Sequence, residues 1–319
     1  MEASKLSDEL KVFSGNTHPE LAHSICEYLG VPLGQIDVSQ FSNENIFVRI
    51  LENVRGRDVF IVQPISTPVN QSMMELLIMI DAARRASARR VTAVLPYFGY
   101  SRTDKKDQPR VPITARLVAD LITASGARRV LTLDLHAGQI QGFFNIPVDE
   151  LTALYILSDY FEEKGLEDLV VVATDVGISK RARDLAERMH APLAIIEKRR
   201  IGNTDSTETH QVIGDVSGKP AILFDDEIDT AGSISSAAVA LADNGAKEVY
   251  ACCTHPILSG PAIERLAKSP LKEIVVTDSV PVPESKRIEK LTVLSLSSLI
   301  GEAIHRIHAD LSIGAMFQS

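Results

Sequence analysis

ILFDDEIDTAGSIS, residues 222–235, runs from an apolar strand pattern into small residues that predict the start of a helix. The strand pattern is AILF, the turn is 230–233, and the helix pattern SISSAAVALAD is followed by Asn244 and Gly245, which are typical of a helix C-terminus. A turn of this kind presents backbone N–H groups that favour an anion. The same segment nevertheless contains four acids: Asp225, Asp226, Glu227 and Asp229. It therefore predicts a site that combines anion binding with carboxylates.

Short apolar runs like this one alternate with helical patterns along the chain. The others span 58–64, 90–100, 129–135, 169–175, 248–255 and 273–279. Continuous apolar strands separated by helices are typical of a parallel sheet covered on both faces. The chain is therefore predicted to be an α/β protein that binds its ligands at the carboxyl ends of its strands.

The order of these runs repeats. VRGRDVFIVQP from Val54 is similar to VSGKPAILFDD from Val216, ASARRVTAVLPY from Ala86 to NGAKEVYACCTH from Asn244, and LGVPL to a later HAPL. A spacing of about 160 residues predicts two similar domains. We expect them at 1–148 and 149–319, with the last helix packing back on the first domain. Chance similarity between two parallel-sheet halves is the alternative.

Composition narrows the function classes. The net charge of −9 argues against a general binder of nucleic acid or of an anionic membrane, because both partners would be repelled. Three cysteines without a CxxC pair predict neither a disulfide framework nor a thiolate metal site. No long apolar run or targeting pattern is present. We therefore expect a cytoplasmic protein with reduced thiols.

The segment 222–235 resembles the phosphoribosyl-diphosphate loop of type I phosphoribosyltransferases and ribose-phosphate diphosphokinases. Further stretches follow the diphosphokinase order: GYSRTDKK (99–106), RVPITARLVADLI (110–122), LDLHAGQIQGFFNIPVD (133–149), VVATDVG (171–177), IIEKRR (195–200) and THPILSG (254–260). By these motifs, which extend from FSGNTHPELA near the N-terminus to the C-terminal helix, the chain is identified as a member of the ribose-phosphate diphosphokinase family.

The resemblance implies two domains of the type I phosphoribosyltransferase fold and a defined reaction. ATP would give its diphosphoryl group to the anomeric hydroxyl of ribose 5-phosphate, forming 5-phosphoribosyl 1-diphosphate and AMP with Mg²⁺. The implied ribose 5-phosphate residues are Asp225, Asp226, Asp229, Thr230, Ala231, Gly232 and Ser233. The acids accept hydrogen bonds from the sugar hydroxyls, and the turn holds the phosphate. A plain helix-capping turn, with Ser233 as the cap, is the alternative.

Family resemblance also implies a catalytic pair, Lys198 and Arg200, on a basic run followed by IGNTDSTETH. That polar stretch has no strand or helix pattern, so we expect a loop that closes over the triphosphate. The implied magnesium ligands are His136 and Asp175, each following an apolar strand run, and Asp134 is expected to orient His136 or a coordinated water.

For ATP the family uses the patterns F-S-D-G-E and Y-x-R-Q-D. Phe41 and Ser42 match the first pattern, but Asn43, Glu44 and Asn45 follow. Arg102 and Asp104 match the second, in which Thr103 replaces glutamine. These departures put nucleotide selectivity in doubt. The family further implies dimers that assemble into a hexamer, with neighbouring subunits sharing the ATP site.

Two other functions fit part of the sequence. A base-using phosphoribosyltransferase would share the loop at 222–235 but would not require the duplication or the LDLHAGQIQGFF and EKRR motifs. A catalytically silent partner subunit that regulates a synthetase would be expected to lose loop cations, a metal ligand or the phosphate turn. All of these remain, and the change at 43–45 is the feature in its favour.

Overall fold

Two sheets built mainly of parallel strands organise the chain. The computed structural model describes residues 9–200 and 208–317, without the side chains of 198–200 and 208–210. The first unit comprises Met1–Thr152, Ser279–Pro281 and Ser295–Ser319, and the second comprises Ala153–Asp278 and Val282–Leu294. The chain therefore returns twice to the first unit after completing most of the second.

The first unit contains β1 (Leu10–Ser14), β2 (Ile36–Gln40), β3 (Ile46–Ile50), β4 (Asp58–Val62), β5 (Arg90–Leu95), β6 (Arg129–Leu133) and β7 (Val148–Leu151). Its main sheet is parallel, in the order β1-β4-β5-β6-β7. Strands β2 and β3 form a separate antiparallel hairpin. The second unit contains β8 (Val170–Ala173), β9 (Leu193–Arg200), β10 (Glu208–Ile213), β11 (Pro220–Ile228), β12 (Glu248–Pro256), β13 (Leu271–Thr277) and β14 (Leu291–Leu294).

Helices cover the sheets. They are α1 (Pro19–Leu29), α2 (Val69–Arg85), α3 (Thr114–Ser125), α4 (Leu154–Glu163), α5 (Ser179–Arg188), α6 (Gly232–Asp243), α7 (Ala262–Lys268) and α8 (Ser297–His308). Each long helix buries one face; on α2 the buried residues Leu76, Met79, Ile80 and Ala83 follow the helical spacing. In the described part of the chain, no helix is both long and apolar enough to cross a membrane.

The sheet order confirms the two similar domains. The second sheet has the order β10-β9-β8-β11-β12-β13-β14 and is parallel apart from β10. Its part β8-β11-β12-β13-β14 repeats the first sheet, β1-β4-β5-β6-β7, strand for strand. Even the short LGVPL and HAPL matches agree, since Leu33 bridges Val12 of β1 while Leu193 pairs with Val171 of β8. Chance similarity does not explain a shared order of this length.

The hairpin β2–β3 was not predicted from the sequence. Its side chains alternate between half-buried and exposed, and Ile36, Val38, Val48 and Ile50 pack on the core of the first unit. That alternation is the signal of a strand with one buried face. The hairpin lacks the continuous apolar runs that predict the buried strands of the main sheets.

A buried aspartate fastens α8 to the first sheet. Asp58, at the start of β4, is fully buried and accepts a 2.9 Å bond from Arg90 Nε and a second, shorter bond from Arg90 Nη2. His308 Nδ1 lies 3.1 Å from Asp58 Oδ2, and Arg90 also donates to the Ile307 carbonyl at 3.0 Å. Burial alone would raise the pKa of Asp58, but the hydrogen bonds from His308 and Arg90 outweigh it and hold the pKa below its usual value.

Asp58→Ala is expected to lower the free energy of unfolding by about 3 kcal/mol near pH 7, because it breaks a buried ion pair. Since the folded pKa of Asp58 is lowered, its contribution is present above the unfolded pKa of about 3.9 and is lost as the pH falls through the folded pKa. Urea unfolding of both proteins, near neutral pH and in acid, measures the difference. The control Asp81→Ala removes exposed pairs with Arg84 and Arg85 and should cost less than about 1 kcal/mol. Equal losses in the two variants would contradict this account.

Candidate functional site

A group of acids lies where β8 ends beside its neighbour β11 in the second sheet. Strand β8 ends at Ala173, and Thr174 and Asp175 follow it. Thr174 Oγ1 donates a 2.7 Å hydrogen bond to Asp225 Oδ2 on the adjacent strand β11. From β8 the sheet continues to β9 on one side and to β11 on the other. Ligand sites of open α/β sheets lie at such a switch point.

The charge of this cluster is unfavourable in the free protein. Burial raises the pKa of Asp225 to about 8, and the neighbouring charges of Asp226 and Asp175 act in the same direction. The hydrogen bond from Thr174 opposes the shift. Carboxylates in this setting are suited to accept hydrogen bonds from hydroxyl groups or to bind a hard cation.

The predicted end of the strand at Phe224 is wrong. Strand β11 continues to Ile228, so Asp225, Asp226 and Glu227 lie within it. Its pairing with β8 stops at Phe224, whereas its pairing with β12 continues to Ile228. The acids therefore lie on a stretch of strand that is still paired with β12 after its pairing with β8 has ended. Glu227, which had no predicted role, is buried and lies in register with His255 of β12.

The turn at 230–233 leads directly into α6. Ala231 is the N-cap residue, has the left-handed backbone conformation (φ 59°) and makes no side-chain capping bond. Ser233 lies inside the helix, so the alternative in which its hydroxyl is the helix cap is wrong. The first N–H groups of a helix lack partners within the helix, which leaves them available to an anion. At the other end, Asn244 and Gly245 close the helix as predicted.

The segment 258–265 supports this turn from outside; its first residues belong to the THPILSG stretch, but its contacts with the turn were not predicted. The N–H groups of Leu258 and Ser259 donate to the carbonyls of Ile228 and Asp229 at 3.0 and 2.9 Å. The Ser259 hydroxyl also donates to the Asp229 carboxylate. Arg265 Nη1 then donates to the Thr230 carbonyl at 3.0 Å. These contacts join residues about 30 positions apart, so no local pattern could reveal them.

The residues expected to bind ATP occupy two loops of the first unit. Residues 41–45 form the tip of the β2–β3 hairpin, where Phe41 and Asn45 close the loop with a 2.9 Å backbone bond. Phe41 is 56% exposed and packs edge-on against Phe47, with ring centroids 5.5 Å apart. The ring therefore has a face available for stacking. Asn43 Oδ1 accepts a 3.2 Å bond from the Asn45 N–H, which shapes the loop from within.

Glu44 occupies the strained position of this tip. Its N–H donates to the Phe41 carbonyl at 2.8 Å, and its φ is 68°, as in a three-residue hairpin loop whose last position is left-handed. The F-S-D-G-E pattern has glycine at that place, and glycine adopts this conformation without a clash. The loop thus keeps the glycine geometry with a glutamate in it, a departure that the sequence comparison passed over.

The second loop follows β5 and contains Arg102, Thr103 and Asp104. Arg102 and Thr103 are exposed, and the Thr103 hydroxyl donates to the Tyr100 carbonyl at 2.7 Å. Asp104 is buried and accepts a 2.7 Å bond from Gln139. Arg102 is thus placed to meet a ligand in solvent, whereas Asp104 shapes the loop.

The predicted metal ligands lie at strand ends in different units. His136, in the first unit, is exposed and follows β6 through Asp134, which is buried and left-handed (φ 35°). Asp175, in the second unit, accepts a 3.1 Å bond from the Ile178 N–H at the start of α5. Among the side chains that the structure describes, no group of three or more His, Cys, Asp or Glu residues is arranged to hold a metal ion.

The predicted catalytic residues Lys198 and Arg200 have described backbones but side chains outside the described part of the chain. Their backbones belong to β9, which pairs antiparallel with β10 from Glu208 onward. The expectation of a loop throughout 201–210 is therefore wrong for its last residues, since β10 begins at Glu208. The basic run therefore lies at the end of β9, where β9 and β10 form an antiparallel pair at one side of the second sheet.

The first unit has a different polar group where the second has its acids. Gln63, which aligns with Asp225 in the repeat, follows β4 and donates to Glu75 at 2.9 Å. Asn16, after β1, donates to the same buried carboxylate through its backbone and side-chain N–H groups, both at 3.1 Å. Gln71 donates to it as well, at 3.1 Å. Asn16 also donates to the Val38 carbonyl at 3.0 Å, which ties the hairpin to this group.

Comparisons with known proteins cover both units. Residues 10–126 match the family model described as the N-terminal domain of ribose phosphate pyrophosphokinase. Residues 202–318 match the model described as the phosphoribosyl synthetase-associated domain.

Relatives match over nearly the whole chain. The ribose-phosphate pyrophosphokinase of Bacillus cereus is 54% identical over 317 residues, which cover 99% of this chain and 100% of the relative. That of Bacillus subtilis is 53% identical over 308 residues, 97% of each chain. The crystal structure of phosphoribosylpyrophosphate synthetase from Mycobacterium smegmatis has a TM-score of 0.90 at 44% identity, covering 95% of this chain and 99% of that one.

Glu44→Gly is expected to raise the free energy of unfolding by about 1 kcal/mol, because glycine adopts a positive φ without strain. Amide hydrogen exchange at Phe41 and Asn45, with urea unfolding, measures the effect on the hairpin. Ser42→Gly, which places glycine at a loop position where φ is not positive, is the control and should be neutral or destabilising. The explanation fails if both glycine variants change stability equally.

Proposed function

This chain belongs to the ribose-phosphate pyrophosphokinase family, and we propose that it transfers the diphosphoryl group of ATP to the anomeric hydroxyl of ribose 5-phosphate. The products are 5-phosphoribosyl 1-diphosphate and AMP, for nucleotide biosynthesis. The observation that carries this proposal is the order of groups along the chain: acids at the end of β11, where pairing with β8 has stopped, and then a turn that presents the first N–H groups of α6.

In this proposal the sugar is bound by the acids of β11 and its phosphate by the turn 230–233. The carboxyl groups of Asp225 and Asp226 meet the ribose hydroxyls, and each accepts hydrogen bonds from them once it is ionised. The turn 230–233 donates its N–H groups to the 5-phosphate. Asp229 lies between the two and is tied to Ser259. Keeping the acids on the strand and the donors on the turn separates the carboxylates from the phosphate.

Diphosphoryl transfer depends mainly on positioning and on neutralising charge. We assign that neutralisation to Lys198 and Arg200, whose positions on β9 follow the family motif. Asp175 is a carboxylate close enough to Asp225 for their charges to interact, which fits Mg²⁺, a cation that prefers oxygen ligands. His136 fits Mg²⁺ less well by its nitrogen donor, and its assignment as a ligand rests on the motif. Bound Mg²⁺ would supply positive charge to the triphosphate.

We assign ATP to the first unit and ribose 5-phosphate to the second, in line with the proposed domains 1–148 and 149–319. Phe41 offers a ring face for the adenine, and Arg102 offers a cation for the phosphates. The tip residues Asn43, Glu44 and Asn45 line the same loop, with Thr103 and Asp104 shaping the other. Family membership further supports a cytoplasmic enzyme that self-associates as dimers forming a hexamer.

The reaction is tested by incubating the purified protein with ribose 5-phosphate, ATP and Mg²⁺. We expect AMP and 5-phosphoribosyl 1-diphosphate to form in equal amounts, and no AMP to form without ribose 5-phosphate. Several nucleotides are included because the residues at 43–45 depart from the family pattern. If no nucleoside triphosphate gives its own monophosphate above the ribose-free control, the proposed activity is wrong and a regulatory subunit is the better account.

Lys198→Ala is expected to lower kcat by about 100-fold or more while changing the affinity for ribose 5-phosphate little, because the charge acts in the transition state. Steady-state kinetics and calorimetric binding of ribose 5-phosphate separate the two effects. Lys268→Ala, which removes an exposed lysine paired with Glu264 on α7, is the control and should leave both unchanged. An equal loss of binding and turnover in Lys198→Ala would place the residue in substrate binding instead.

A further inference from the structure

The turn that begins α6 is held in a conformation that its own residues do not favour. Ala231 has a φ of 59°, which is unfavourable for a residue with a Cβ atom. A non-glycine residue keeps such a conformation when the surrounding structure holds it there. The question is which contact holds it.

Three successive carbonyl groups of this segment accept hydrogen bonds from one neighbouring segment. The carbonyls of Ile228 and Asp229 accept from backbone N–H groups of residues 258 and 259, and the Thr230 carbonyl accepts from Arg265 at 3.0 Å. In a planar trans peptide the C=O and the following N–H point in opposite directions. The N–H groups of residues 229–231 therefore point away from the segment 258–265. Successive N–H groups on one side of a turn form an anion-binding concavity.

Arg265 supplies the one contact in this series that comes from a side chain. The first two bonds continue the backbone pairing of β11 with the chain after β12, so they follow from the sheet. The third lies beyond the sheet, at the peptide between Thr230 and Ala231, where the chain becomes left-handed. A charged donor gives a stronger bond to a carbonyl than a neutral one does.

Gly232 lies directly beside this contact. A Cβ atom at Gly232 would lie 3.4 Å from Arg265 Nη1 and 3.9 Å from Thr230 Oγ1, which are ordinary van der Waals distances. The guanidinium group therefore lies against the first residue of α6 as well as the Thr230 carbonyl.

We propose that Arg265 is a positioning residue for the 5-phosphate of ribose 5-phosphate. By binding the Thr230 carbonyl, it fixes the Thr230–Ala231 peptide so that the Ala231 N–H faces the phosphate. This inference rests on the proposed function of the turn. It adds a residue from α7, outside the loop motif, whose effect on binding passes through a backbone peptide.

The test compares Arg265→Ala with Arg265→Lys in steady-state kinetics. Arg265 is exposed, so losing its bond should cost toward the low end of the range for a charged donor, a roughly 5- to 10-fold rise in the KM for ribose 5-phosphate. The KM for ATP should stay within about twofold of wild type, because the turn is assigned to the sugar phosphate alone. Arg265→Lys keeps a charged donor and should recover most of the loss. The control is Lys268→Ala, on the same helix, with no expected change in either KM.

A crystal structure of Arg265→Ala separates positioning from direct contact. We expect the Thr230–Ala231 peptide to rotate and the φ of Ala231 to become negative. An unchanged peptide with a raised KM for ribose 5-phosphate would overturn the positioning role, and so would an unchanged KM. If Arg265→Ala does not fold, the same measurements on Arg265→Gln apply. Failure of the proposed reaction would show separately, as absence of AMP formation by the wild-type protein.

Discussion

The unequal pairing of β11 is the constraint on which the site depends. Up to Phe224 the strand is paired on both edges, and from Asp225 to Ile228 it is paired with β12 alone. Pairing with β12 keeps this stretch extended, while the end of β8 opens its other edge. Carboxylates can then stand at the switch point of the sheet without leaving the ladder. The segment after β12 carries the same support past the strand to the Thr230 carbonyl, so the acids and the turn are fixed by one continuous series of bonds.

Duplication explains why the two units share a sheet order but not a chemistry. Gln63 stands where the second copy has Asp225, and it donates to Glu75 together with Asn16. This carboxylate is buried among amide donors, so its hydrogen bonds are made within the first unit. In the second unit the corresponding acids are crowded by like charges instead. The first copy thus uses its strand ends to hold its own loops and its hairpin, and the second has them at the place where we propose that the ligand binds.

The sequence was sufficient for the features that have a local period or a motif. Continuous apolar runs predicted the parallel strands, because a strand buried on both faces carries few polar residues. The repetition of these runs predicted two similar domains. The sequence predicted that β11 ends before its acids, because charged residues commonly follow a buried strand. Pairing with β12, a strand more than 20 residues further along the chain, instead extends β11 to Ile228. Arg265 and Ser259 were missed for a related reason: their contacts depend on how the chain returns after β12. Glu44 shows a further limit, because a motif match does not reveal that a residue must adopt a glycine conformation.

Asp58 and Asp225 show how environment divides one residue type into two roles. They lie on corresponding strands of the two units but at opposite ends: Asp58 is at the start of β4 and Asp225 is near the end of β11. Burial raises the pKa of each, but cationic partners reverse the shift at Asp58, and neighbouring acids increase it at Asp225. A buried acid with its partners in the chain contributes stability, whereas one among like charges costs stability until something binds. Perturbed acids of the second kind gather at functional sites. The electrostatic cost at Asp225 is therefore an independent physical reason to place the ligand at the carboxyl end of β11.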